Sequence, residues 1–170
     1  MKYAVLETPM GWMGVVASEA GVRRLTIPLP TPDEAMSGIA RDATDAELDN
    51  EHFAEFEERL QRLFSGEDVS LGDEDLDLPD APEFTRAVWQ ATREIPWGET
   101  RSYGDLAASV GRPRGARAVG QVMASNPVAV LIPCHRVIAS DRGLGGYGGH
   151  IEMKKRLLTL EGAGGVRGLS

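Results

Sequence analysis

The 170-residue sequence predicts an α+β protein: a small N-terminal α/β domain built on a three-stranded antiparallel sheet, then a mainly helical C-terminal domain containing a helix-turn-helix. Three observations predict it. Short β-prone runs fill residues 3–27, helical periodicity takes over after residue 83, and an acidic stretch flanked by prolines lies between them. With 42 % hydrophobic residues the chain can bury a core as one domain or two small ones, and disorder throughout is not expected.

The runs Tyr3 to Glu7, Trp12 to Ala17 and Val22 to Ile27 are separated by Pro9-Met10-Gly11 and Glu19-Ala20-Gly21, which predicts a meander of three strands. From Asn50 to Phe64, the residues Phe53, Phe56, Leu60, Leu63 and Phe64 recur at helical spacing, and Gly66 stands ready to stop the helix. That helix would cover the sheet. Glu67 to Asp80 contains Asp73-Glu74-Asp75-Leu76-Asp77 and is closed by Pro79 and Pro82, a composition expected of an exposed linker. The domain boundary therefore falls at about 67–82, between an acidic region 1–80 and a second domain 83–170.

Charge divides along the same line. Residues 1–82 carry 6 Lys and Arg against 19 Asp and Glu, net -13, whereas residues 83–170 carry 12 against 7, net +5. The overall -8 therefore hides a basic half, which suits an acidic accessory region joined to a working region that meets an anionic partner. A charge of +5 on 88 residues also fits an ordinary solvated surface, so charge alone decides nothing.

After the linker, Phe84, Ala87, Val88, Ala91 and Ile95 mark an amphipathic helix ending at Pro96-Trp97-Gly98. Ser102 followed by Asp105 forms a capping-box pattern that opens a short helix through Val110, and Gly111 and Pro113 break it. A second helix runs from about Arg114 to Ser125, apolar at Ala116, Val119, Gly120 and Met123, and Asn126-Pro127 ends it. Helix, glycine turn and helix make the helix-turn-helix outline, which many helical domains share without touching DNA. The apolar run Val128 to Ile132 leads into Pro133-Cys134-His135-Arg136-Val137, then a glycine-rich loop with Gly145-Gly146-Tyr147-Gly148-Gly149, and last a helix from Ile151 to Leu160 closed by Glu161-Gly162.

Cys134 is the single cysteine of the chain. It cannot form an internal disulfide or a thiolate zinc cluster, so no metal is expected and a reducing cytoplasm is. The N-terminus shows neither a signal peptide nor a membrane span. An ordinary thiol is only a few per cent ionised at neutral pH, so a working cysteine needs a base or a positive environment. His135 and Arg136 follow it directly, but neighbours in an extended segment point to opposite faces, so His135 would reach the sulfur through a water or a bend. An isolated Cys-His pair fits a buried structural cysteine at least as well.

The surrounding blocks add what that pair lacks. Phe84-Thr85-Arg86-Ala87-Val88-Trp89, Ile95-Pro96-Trp97-Gly98-Glu99-Thr100, Ser102-Tyr103-Gly104-Asp105-Leu106-Ala107, Ala116-Arg117-Ala118-Val119-Gly120, Asn126-Pro127, PCHRV at 133–137, the loop with Tyr147, and the closing Lys154, Leu157-Leu158 and Glu161-Gly162 follow one another in order. The stretch from Phe84 to Gly162 resembles, in order and spacing, the catalytic domain of the methylated-DNA-protein-cysteine methyltransferases, the O6-alkylguanine-DNA alkyltransferases.

The resemblance implies direct-reversal DNA repair without a cofactor, in which Cys134 takes the alkyl group irreversibly and acts once per molecule. It implies His135 as the base acting through a water, Glu161 holding that imidazole, Tyr103 bonding the flipped base, and Asn126 bracing the active-site turn. Arg117 would enter the vacated base stack, and Arg112 and Arg114 would contact phosphates. The small residues Gly115, Ala116, Ala118 and Gly120 would allow close approach in the minor groove of double-stranded DNA. Pro133, Val137, Tyr147, Gly148 and Gly149 would line the alkyl pocket. The protein would be a monomer in the cytoplasm, or in the nucleus of a eukaryote, with O6-alkylguanine as substrate and O4-alkylthymine as a further candidate.

Thr92 departs from a usual leucine, which should disturb helix packing modestly, and Val122 and His150 replace residues that are more often small. Three rival readings remain. An alkyltransferase-like lesion-binding protein resembles the same domain, but typically has tryptophan at the cysteine position. A relative with a zinc-thiolate regulatory domain needs more cysteines than this chain has. A cysteine hydrolase would need separate nucleophile and histidine blocks.

Overall fold

The computed structural model describes residues 1–169, and within them the chain forms two compact units. The first comprises Met1–Pro79 with Pro127–Leu131, and the second Asp80–Asn126 with the described residues from Ile132 onward.

In the first unit, β1 (Lys2–Thr8), β2 (Gly11–Ser18) and β3 (Gly21–Leu25) form the expected antiparallel meander. A fourth strand, β4 (Glu47–Leu48), joins the free edge of β1 in parallel, so the sheet order is β3-β2-β1-β4. Five successive residues of β2, Met13 to Ala17, are buried, so both faces of the central strand are covered. Ile39 and Ala43 pack on Val16 and Tyr3 on one face. Ile39 closes α1 (Pro32–Ile39), a helix absent from the sequence reading. Its start is nevertheless written in the chain: the Thr31 hydroxyl accepts from the Glu34 amide, the Glu34 carboxylate accepts from the Thr31 amide, and Pro32 occupies the first turn. The helix α2 (Ala54–Phe64) begins four residues later than expected and buries Phe56, Leu60, Leu63 and Phe64.

The acidic segment after α2 is not the exposed linker its charge predicts. Leu71 is buried, and the backbone of 75–77 pairs with Val22, whose amide donates to Asp75 at 2.9 Å while its carbonyl accepts from Asp77 at 2.9 Å. Gly21 permits this approach, because a Cβ there would lie 2.3 Å from the Asp75 carbonyl oxygen. Local cations neutralise the charge run: Arg59 pairs with Asp73 and Glu74, and Arg23 with Asp77. The apolar run 128–132 changes course part-way along. Residues 127–129 bracket Leu25, which donates to the Pro127 carbonyl and accepts from Ala129, and Val130 then turns the chain at φ 71.

The second unit opens with α3 (Glu83–Arg93), which packs against α4 (Tyr103–Ser109) and α5 (Ala116–Ala124). Ser102 and Asp105 complete the capping box of α4 in both directions, at 3.0 and 3.2 Å. Thr92 is fully buried on α3, yet its hydroxyl donates to the Val88 carbonyl at 2.7 Å. Leaving that group unpaired would cost roughly 1–3 kcal/mol, and the bond removes that penalty. Two short strands, β5 (Arg101–Ser102) and β6 (Val137–Ile138), pair in parallel, and α6 (Ile151–Leu160) ends at Glu161 and Gly162, after which Val166 packs with Ile138 and Leu158. No helix among the described residues is long and apolar enough to cross a membrane.

Candidate active site

The β5–β6 pairing brings the site together. Tyr103 follows β5 immediately, and a single 3-10 turn, Cys134–Arg136, precedes β6 immediately, so two residue pairs bring Tyr103 and the Cys134 turn to one end of the unit. The turn replaces the extended segment assumed from sequence. With three residues per turn, successive side chains diverge by about 120° rather than pointing to opposite faces. Asn126 holds the approach by donating through Nδ2 to the Ile132 carbonyl at 2.8 Å, and it also bonds Cys134.

His135 is 1 % exposed. Its Nε2 lies 2.7 Å from Oε1 of Glu161, the residue that caps α6, while the buried Nδ1 has no partner. Burial lowers the pKa of His135, and the nearby carboxylate offsets this only in part. The imidazole is therefore neutral, carries its hydrogen on Nε2 towards Glu161, and presents an Nδ1 lone pair. Burial opposes charge on Glu161, but His135 and then Arg136 outweigh it and bring its pKa down to about 2.

Cys134 is buried, and burial pushes its thiol up, against the pull of hydrogen bonds to Asn126 and Tyr147 and of the charge on Lys154. It rests as a thiol and needs a base at the moment of reaction. Its Sγ lies 4.0 Å from Oη of Tyr147. Burial also raises both Tyr147 and Tyr103, which therefore remain phenolic donors.

Two residues matter more than the sequence indicated. Lys154, there only part of a closing motif, is fully buried and donates to the carbonyls of Val137 and Gly146 at 2.7 and 3.2 Å. Its Nζ stands 5.8 and 5.9 Å from the ring centres of Tyr103 and Tyr147, and burial lowers it to about 8. Helical spacing gave the signal: Lys154, Leu157, Leu158 and Glu161 fall on one face of α6 and its cap, a stripe where an unpaired lysine would not be expected. Arg136, read from sequence as a positive neighbour for the thiol, instead binds Glu161 and the Ile95 carbonyl.

The other expected residues divide by environment. Pro133 and Val137 are buried, and it is the Val137 carbonyl that Lys154 engages. Gly148 and Gly149 are exposed in the left-handed region. Gly145 meets Tyr103 most closely, since a Cβ there would lie 2.8 Å from its Oη and Cε2. Arg112, Arg114 and Arg117 are exposed, with Arg112 stacked 4.7 Å over the Phe84 ring, and Ala116 and Gly120 are half-buried. Val122 is buried, and His150 is exposed just before α6. Among the described residues no group of three or more His, Cys, Asp or Glu could hold a metal ion.

The family model for the 6-O-methylguanine DNA methyltransferase, DNA binding domain, matches residues 83–163. A methylated-DNA-protein-cysteine methyltransferase of Methanosarcina acetivorans is 37 % identical over 169 residues, covering 96 % of this chain and 99 % of its own. This chain belongs to the methylated-DNA-protein-cysteine methyltransferases. A methyltransferase of the same name from Mycobacterium leprae is 49 % identical over 113 residues, 66 % of this chain and 67 % of its own. Among solved structures, that of Mycobacterium tuberculosis OGT in complex with DNA superposes with a TM-score of 0.80 at 35 % identity, covering 95 % of this chain and 93 % of that one. The methyltransferase fold thus spans both units, whereas the DNA-binding family model covers most of the second together with residues 127–131 of the first.

Proposed function

We propose that this methyltransferase repairs DNA by direct reversal, moving the alkyl group of O6-alkylguanine onto Cys134. The observation that carries the reading is the buried sequence of thiol, neutral imidazole with an unpartnered Nδ1, and Glu161 carboxylate at 2.7 Å. A nucleophile, a base and a group that orients the base are what attack on carbon requires.

The thiol proton passes to Nδ1 of His135 through a water, and Glu161 stabilises the resulting imidazolium. Sγ then attacks the alkyl carbon in line, an S–C bond forms, and the C–O6 bond breaks with its electron pair leaving on the guanine. Tyr103 donates to the departing base, which gains one proton, Tyr103 regains its own from solvent, and the proton on His135 is released to solvent, so that one proton is lost by the thiol and one is gained by guanine. Thiol and O6-alkylguanine thus become thioether and guanine, with no oxidant or cofactor in the balance. The thioether offers water no good leaving group, so each molecule acts once.

The target base must leave the duplex to reach a buried sulfur. Exposed Arg117 on α5 would fill the vacated stack, with Arg112 and Arg114 on phosphates and the small residues Ala116 and Gly120 facing the minor groove. Pro133, Val137, Tyr147, Gly148 and Gly149 would line the alkyl pocket, with Asn126 bracing the turn. The protein would act as a monomer in the cytoplasm. Residues 83–170 would form the domain that binds DNA and transfers the alkyl group, with the acidic residues 1–80 as an accessory.

Incubation with duplex DNA containing O6-methylguanine, followed by mass spectrometry, tests the reading. The expected result is one methyl group on Cys134 and no further turnover. Unmodified protein beside repaired DNA, or repair by Cys134→Ser, would overturn it.

A further inference from the structure

Arg136 is tied to two distant parts of the second unit, the cap of α6 and the segment that follows α3. Nε lies 2.9 Å from Oε2 and 3.2 Å from Oε1 of Glu161, Nη2 lies 2.8 Å from Oε1, and Nη1 donates to the Ile95 carbonyl at 2.7 Å. Its side chain is 13 % exposed, and the carboxylate that it grips is the one bonded to His135. Oε1 of Glu161 is thus shared between an imidazole that gains and loses a proton and a guanidinium that never does.

This sharing has an electrostatic consequence. With His135 neutral, the Glu161 and Arg136 charges cancel. Protonating His135 would leave a net positive charge in a buried cluster that also contains Lys154. A carboxylate without Arg136 would attract that proton more strongly. The planar fork also fixes the carboxylate plane, and through it the ring that carries Nδ1.

We propose that Arg136 is a positioning residue for alkyl transfer: it keeps Glu161 anionic and oriented while neutralising it, so that His135 waits as an unprotonated base. The charged groups that face His135 are Glu161 and Lys154 from α6 and its cap, and Arg136 from its own turn. Burial is the leading cause of the lowered His135 pKa. Arg136 and Lys154 add to it, and Glu161 opposes it. The inference rests on the alkyl-transfer reading of the same site.

The test measures the single-turnover rate with free O6-benzylguanine from pH 5 to 9 for the full-length wild type, Arg136→Gln and Arg136→Lys. In Arg136→Gln the acid limb of the profile should move up by about one pH unit, giving roughly tenfold additional loss near the foot of the limb. Arg136→Lys retains the charge but not the fork, so its limb should stay near the wild-type position with only part of the rate restored. A purely structural role would lower the rate by one factor at every pH, and that result overturns the proposal. If Arg136→Gln does not fold, the His135 imidazole titration by NMR in wild type and Arg136→Lys decides. A neutral ring at pH 7 in both supports the proposal, and a protonated wild-type ring ends it. Failure of the wild type to form the Cys134 adduct would instead remove the alkyl-transfer reading, and the NMR titration would still report on Arg136.

Discussion

Replacing Glu161 by glutamine asks whether charge or shape at this position holds the buried polar cluster together. The Glu161 side chain is 5 % exposed, so solvent screens its interactions little. Burial acts against its charge, but His135 and Arg136 bring the pKa from 4.5 down to about 2. At about 1.4 kcal/mol per pH unit, that displacement corresponds to about 3 kcal/mol. A carboxylate depressed by folding contributes its full stabilisation above its unfolded value and loses it as pH falls through the folded value. Glutamine retains an acceptor oxygen but cannot titrate. Glu161→Gln should therefore be less stable at pH 7 by about 3 kcal/mol, with the gap to wild type closing between pH 4.5 and 2. Urea unfolding of both proteins at intervals from pH 7 to 2.5 measures it, because every other carboxylate contributes alike to both and drops out of the difference. A gap that stays constant across that range would refute the reasoning.

Three further outcomes are expected. Gly145→Ala places a Cβ 2.8 Å from Tyr103 at φ 69, so it should displace the tyrosine and slow transfer from O6-benzylguanine at least tenfold, read as a second-order rate; an unchanged rate would dismiss the contact. Arg117→Ala should cut repair of methylated duplex DNA by about tenfold or more while changing the reaction with the free benzylated base less than about twofold, and equal losses would remove its role in the stack. Affinity for duplex DNA should fall with added salt, and removing Arg112 or Arg114 should each reduce the slope of log K against log salt by about 0.9; salt-independent binding would contradict phosphate contacts.

The sequence was most informative where the physics is local. The meander, the capping box of Ser102 and Asp105, the bounds of α6 and the glycine stop at Gly162 depend on residues a few positions apart, and each stands in the structure. Family blocks then marked Cys134, His135 and Glu161 before any distance was known. The missed helix α1 was equally local, since Thr31, Pro32 and Glu34 signal its start, but its short apolar face of Ala35 and Ile39 gives little periodicity to detect.

Contacts between distant positions were decided only by the tertiary structure. Charge density made residues 67–80 read as linker, yet Arg23 and Arg59 neutralise part of the run and Val22 takes its backbone into pairing. Cys134 and His135 fell in what read as an extended segment, whereas the parallel pairing of Arg101–Ser102 with Val137–Ile138 follows a tight turn that changes how their side chains diverge. Arg136 looked like a cation for the thiol, but its partner lies 25 residues away on the cap of α6, and the cation beside Cys134 is Lys154. By itself the sequence determined which chemical groups the chain carries and which short segments they ride on. Protonation state and partnership follow from burial and from distances of a few ångströms between residues far apart in the chain, and those exist only once the chain has folded.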